Sequence, residues 1–141
     1  MKTRSTILTL LALTLLLAAP SPRPAFARDR ENAYSAKLVS PKAGSMLKPG
    51  QIVRVTWTTN FPYVDLSMCE TELMLSLDGG TTYSYLTSQR NPKIQYFDWT
   101  VPQVPQGAPT VAIIDIRFGC LGIYAETSSP QIEHSFLISP E

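Results

Sequence analysis

Two cysteines, Cys69 and Cys120, are the chain's whole thiol inventory, and His134 is its single imidazole. These residues bound the chemistry on offer. Nucleophilic catalysis needs a base held against a hydroxyl or thiol and oriented by a third group. A Ser and an Asp would have to converge on His134, and the nucleophile-elbow pattern Gly-x-Ser-x-Gly does not occur. Met46, Met68 and Met74 are scattered and do not add up to a soft-metal ligand spacing. Asp65, Glu70 and Glu72 lie close together, but calcium needs several clustered oxygens, and strand spacing makes these a solvated acidic patch. Asp98, Asp115 and Glu126 would serve paired-carboxylate hydrolysis only in a cleft that excludes water, which a small domain rarely builds. Asp115 and Arg117 are expected to share the outward face of one strand, in an exposed pairing with a neighbour strand. The residue types point away from an enzyme and imply neither cofactor nor metal.

What the cysteines do depends on the compartment. Lys2 and Arg4 are followed by an apolar run from Ile7 to Ala19, by Pro20, Pro22 and Pro24, and by the small-x-small triplet Ala25-Phe26-Ala27. That order is a secretory signal peptide over residues 1–27. The competing reading is a membrane anchor, but a span needs about 20 apolar residues and this run is shorter. Cleavage would leave 114 residues from Arg28, enough for one domain. Without Lys2, Arg4 and Arg23, nine basic residues face 11 acidic ones, a net charge of −2. A mildly acidic surface argues against nucleic acid, whose phosphates demand basic patches. The mature chain is expected to be secreted or periplasmic, with no membrane span. Export permits a Cys69–Cys120 disulfide, the alternative being two buried thiols. Joined, they close a long loop and contribute about 4 kcal/mol through chain entropy.

Residues 28–36 are polar and read as a flexible N-terminal arm, with the domain proper over 37–141. From Lys37 onward the text is strand and turn, and twelve prolines argue against long helices. Alternation predicts strands over 37–40, 51–59, 71–77, 82–87, 94–101, 111–120 and 135–138. The inward set is Val53, Val55, Trp57, Leu73, Leu75, Leu77, Phe97, Trp99, Val101, Ala112, Ile114, Ile116, Phe118 and Phe136. Seven short strands imply an all-β, seven-stranded immunoglobulin/fibronectin-III-like sandwich. In that fold the third and sixth strands are antiparallel neighbours, so Cys69 and Cys120 would meet at one pole and tie loop 60–70 to loop 120–133.

Read in order, Ser40-Pro41, Gly44, Gly50, Val53-x-Val55-x-Trp57, the stretch Leu75 to Tyr83, and Tyr96-Phe97-Asp98-Trp99-Thr100-Val101-Pro102 resemble a known domain. It is the amino-terminal Ig-like domain of the Ser/Thr-rich, GPI-anchored yeast cell-wall assembly family, along with related bacterial secreted modules. The resemblance implies a sandwich outside the membrane, work at the cell surface or in wall assembly, and no catalysis. Within it, Ser76-Leu77-Asp78-Gly79-Gly80-Thr81-Thr82-Tyr83 resembles the Asp-box of sialidases, S-x-D-x-G-x-T-W, with Tyr83 in the Trp position. The Asp accepts backbone N–H bonds across the turn and the glycines supply positive φ, which makes the box a hairpin-stabilising device. Sugar binding is its functional alternative.

The candidate partner-binding surface is the pole that the cysteines would tie. Loop 60–70 offers Phe61 and Tyr63, and loop 120–133 offers Leu121, Ile123, Tyr124 and Glu126. Aromatic residues on loops held by a scaffold can anchor a protein or a polysaccharide. They can equally cover the end of a small core. The function expected is an exported, non-enzymatic binding or structural module. The rival is a small periplasmic inhibitor or chaperone-like factor docking by a loop or an edge strand. A hydrolase relying on His134 is the remote third.

Overall fold

A computed structural model describes residues 34–140. The expected signal peptide and residues 28–33 of the expected arm lie outside these residues. Nine strands form two sheets: β1 (Ser35–Ser40), β2 (Met46–Leu47), β3 (Ile52–Asn60), β4 (Cys69–Ser76), β5 (Ser84–Tyr85), β6 (Tyr96–Thr100), β7 (Thr110–Cys120), β8 (Tyr124–Pro130) and β9 (Phe136–Ile138). One sheet runs β1-β3-β6, and the other runs β2-β9-β7-β4-β5 with β8 on β7. The two sheets form a sandwich-like, mostly β fold.

The two inner faces make the core, because their alternating apolar residues have nowhere else to shed water. Val55 and Trp57 of β3, Leu73 and Leu75 of β4, and Ile114, Ile116 and Phe118 of β7 are all buried. Each large side chain so buried contributes about 1.5–3 kcal/mol. Trp99 of β6 meets Phe136 of β9 edge-on at 6.1 Å, joining the sheets. Gln131 adds a polar link between them. Its Oε1 accepts from Leu38 N–H at 2.9 Å, and its Nε2 donates to Ser129 O at 2.8 Å.

β7 is the longest strand and the hub. One edge carries β4 for eight residue pairs, from Cys69↔Cys120 to Ser76↔Ile113. Its other edge is shared by β9 at Thr110–Ala112 and by β8 from Asp115 to Cys120. β9 also runs parallel to β2, and that clasp is extended by Gly44 N–H to Ser135 O at 2.8 Å and Leu137 N–H to Ser45 O at 2.8 Å.

Several expectations need correction. Residues 124–130, read as part of a loop, form β8. Ser35 and Ala36, read as flexible arm, pair with β3 as the start of β1. Leu77 is 38% exposed because the strand ends at Ser76 and the hairpin turn begins there. Asp115 is not in an exposed pairing but buried, accepting the Ser128 hydroxyl of β8 at 2.8 Å. The return strand of the hairpin after Ser76 is only Ser84–Tyr85. Val53 and Phe97 are half-buried members of the core margin.

Candidate functional site

The β4–β7 ladder ends in a covalent bond. Cys69 and Cys120 stand opposite each other, 3.9 Å apart at Cα, and are disulfide-bonded. Just beyond them Leu121 N–H donates to Met68 O at 2.9 Å. Segment 61–68 and turn 121–123 are therefore held side by side at one pole. Asp65 caps the 3-10 turn Leu66–Met68 by accepting Ser67 N–H at 2.9 Å, and that bond holds its carboxyl below its usual range.

The predicted loop residues separate into two groups at this pole. Phe61 is buried and packs edge-on against Phe118 at 5.9 Å. Tyr124 is half-buried, stacks on Tyr34, and donates its hydroxyl to Pro62 O at 3.2 Å. Of the two roles the sequence leaves open for these rings, binding a partner or covering the core, both take the second and close the end of the core. Tyr63 and Ile123 do face solvent, with Met68 and Leu121 beside them. Tyr63 has φ of 61°, the one non-glycine residue in the left-handed region among those described. That conformation costs a bulky residue about 1–2 kcal/mol, and the fully exposed ring makes no packing contact to offset it. In the sequence Met68 stands only as a scattered sulfur ligand. Its role at the pole depends on the Leu121 bond, which joins residues far apart in sequence.

Beside this apolar lip lies an open groove of about 500 Å³, lined by Met68, Glu70, Gly119, Leu121, Tyr124 and Glu126 among others. Its acidic wall belongs to the outer face of the sheet. Glu70 pairs with Gly119 and Glu72 with Arg117. At a bulge β8 crosses close over Gly119, where an added Cβ would sit 3.0 Å from Glu126 Cα. Only glycine admits that approach. Burial foremost, then Glu126 and Glu70, pushes the Glu72 carboxyl above its usual range. Arg117 sits 3.5 Å from buried Asp115, which also accepts the Ser128 hydroxyl at 2.8 Å. Glu126 is exposed, on β8 rather than on a loop.

The Asp-box stretch forms a closed hydrogen-bonded turn on another part of the surface. Asp78 Oδ1 accepts Thr81 N–H at 3.0 Å and Thr82 N–H at 2.9 Å, and its Oδ2 accepts the Thr82 hydroxyl at 2.6 Å. Ser76 donates its hydroxyl to Asp78 at 2.7 Å and accepts Gly80 N–H at 2.8 Å. Gly79 and Gly80 both take positive φ, as this turn demands. The carboxylate's lone pairs are spent inside the turn, so the box acts as a hairpin brace.

His134 ends a 3-10 turn beside Ser35 and Lys37, away from both features. Among the described residues no three His, Cys, Asp or Glu side chains are grouped so as to hold a metal. No helix among them is long and apolar enough to cross a membrane.

Comparison with known proteins adds little to this geometry. No family model matches the chain, and no curated protein does. Among solved structures it is similar to a DUF4784 family protein from Bacteroides caccae, at 13% identity and a TM-score of 0.31. The similarity covers 77% of this chain and 24% of that one, so the chain spans about a quarter of that protein's length.

Proposed function

We propose that this chain is an exported, non-enzymatic module of the Ig-like type that binds a cell-surface or periplasmic protein through its disulfide-tied pole. The observation that supports this most directly is the exposed set Tyr63, Met68, Leu121 and Ile123 on two segments fixed by one disulfide and one backbone hydrogen bond. Fixing the segments beforehand lowers the ordering cost of binding. The left-handed backbone at Tyr63 holds its ring in water, where a free monomer gains nothing from it. Strain of that kind is retained where function uses the side chain. Three of the four residues are aliphatic or thioether, which favours a protein over a polysaccharide, since sugars stack on flat rings. The order of charges and small residues in 1–27 supports export, and so does the presence of a disulfide. The resemblance to the cell-wall assembly family points to the same compartment.

The test is to express the whole chain with its own leader and to recover the mature product. Intact mass should place its first residue at Arg28. Immobilised mature protein should capture one envelope protein, and Tyr63→Ala or Leu121→Asp should lose it without lowering the thermal midpoint. A retained leader sinks the export reading. Undiminished capture by both variants sinks the pole.

A further inference from the structure

Among the described residues, Glu70 and Glu126 beside the apolar lip make no salt bridge, while Arg117 on the same sheet face is drawn to Asp115. The rows of this sheet face differ at their centres. In one, Arg117 stands between Glu72 and Ser128; in the next, Gly119 stands beside Glu70 with the β8 bulge carrying Glu126 on its other side. In the second row the β8 backbone closes over Gly119, and the flanking residues Glu70 and Glu126 both line the groove shared with Met68 and Leu121. A cation held there gains from two carboxylates at once. Apolar side chains next to it would lie on the exposed lip.

We propose that the groove between Glu70 and Glu126 receives an arginine or lysine side chain of a partner protein, whose neighbouring aliphatic residues cover Met68, Leu121 and Ile123. This rests on the pole being the binding surface, and it adds the chemistry of what docks there: a basic–apolar segment, not an acidic or purely polar one. The raised Glu72 carboxyl, pushed up by burial and then by Glu126 and Glu70, fits a wall whose negative charges await a complement.

The probe is a fluorescein-labelled peptide of alternating leucine and arginine, read by anisotropy against the mature chain. It should bind, and binding should weaken as salt rises. Glu70→Gln with Glu126→Gln should weaken it roughly tenfold. A leucine–glutamate peptide should not bind. Should the double variant fail to fold, Glu126→Gln alone gives the same reading with a smaller loss. Equal binding by wild type and the glutamine variants overturns the proposal. So does equal binding of a serine–arginine peptide, which would mean diffuse charge attraction. Calcium raising the wild-type thermal midpoint but not the double variant's also overturns it, since the wall would then be a cation site. Leu121→Asp separates the two levels. If it abolishes binding while the glutamine variants do not, the pole stands and the acidic groove falls. If neither change matters, the pole itself falls.

Discussion

Tyr34 lies stacked on Tyr124, ring centroids 4.3 Å apart and planes inclined by 14°. The Tyr34 hydroxyl lies within hydrogen-bond reach of two carbonyls, Phe118 O at 2.9 Å and Ala125 O at 2.7 Å, which share its one proton, so one side chain ties the start of β1 to both β7 and β8. Burial pushes its phenol above the usual value. Tyr34→Ala and Tyr124→Ala should each cost about 2 kcal/mol, less than for a fully buried ring, because both keep an exposed edge. Their losses should not add, since each removes the other's partner. Urea unfolding of the two single variants and the double variant reads this. Full stability in Tyr124→Ala would return that ring to the binding surface.

Asp78 gives the hairpin a pH dependence. The Thr82 hydroxyl and N–H, then the Ser76 hydroxyl and Thr81 N–H, hold its carboxyl far below the unfolded value of 3.8. A depressed folded value means the unfolded chain binds the proton more readily. The stabilisation is therefore complete above the unfolded value and is lost as pH falls below it towards the folded one. Asp78→Asn should lower the thermal midpoint at pH 7 by several degrees. The gap to wild type should narrow on acidification through the range below 3.8. Parallel curves at all pH values would show that the carboxylate charge is not what braces the turn.

The cystine closes a loop of 51 residue steps. Chain entropy then sets a loss of about 4 kcal/mol for the Cys69→Ala, Cys120→Ala double variant. Denaturant titration with and without reductant measures it, because reduced wild type should approach the double variant. The exposed residues of the pole should also lose their fixed spacing, so partner capture should fall even at temperatures where the variant stays folded. Stability unchanged by reduction would contradict the role given to the bond.

How far the fold was legible depended on whether a strand kept one wet face. β4 and β7 carry Leu73, Leu75, Ile114 and Ile116 at period two, and their pairing brought the two cysteines together as the spacing implied. β8 escaped notice because Ala125-Glu126-Thr127-Ser128-Ser129 has no apolar alternation: it is an edge strand with one inward ring, Tyr124. Tyr34 was hidden in the polar stretch from Arg28 to Ala36, though an isolated aromatic just before a strand was a usable signal. The burial of Asp115 is not legible because alternation assigns a side and says nothing about what covers it. At the pole, Cys69, Cys120, Tyr63 and Ile123 could be found from the text. Leu121 and Glu126 could be found too, but Met68 on the lip and Glu70 in the groove could not, because their place there arises from register across strands distant in the chain.

The parallel clasp between β2 and β9 joins the forty-sixth residue of the chain to the one hundred and thirty-seventh. A polypeptide emerging amino end first cannot close it until residues 137 and 138 are free. Until then Leu47 stays wet and the Thr110–Ala112 edge of β7 stays unpaired. The unfinished domain thus stays unlatched and pliable for the whole of its synthesis. That suits any route on which it must be threaded through a narrow opening before it sets.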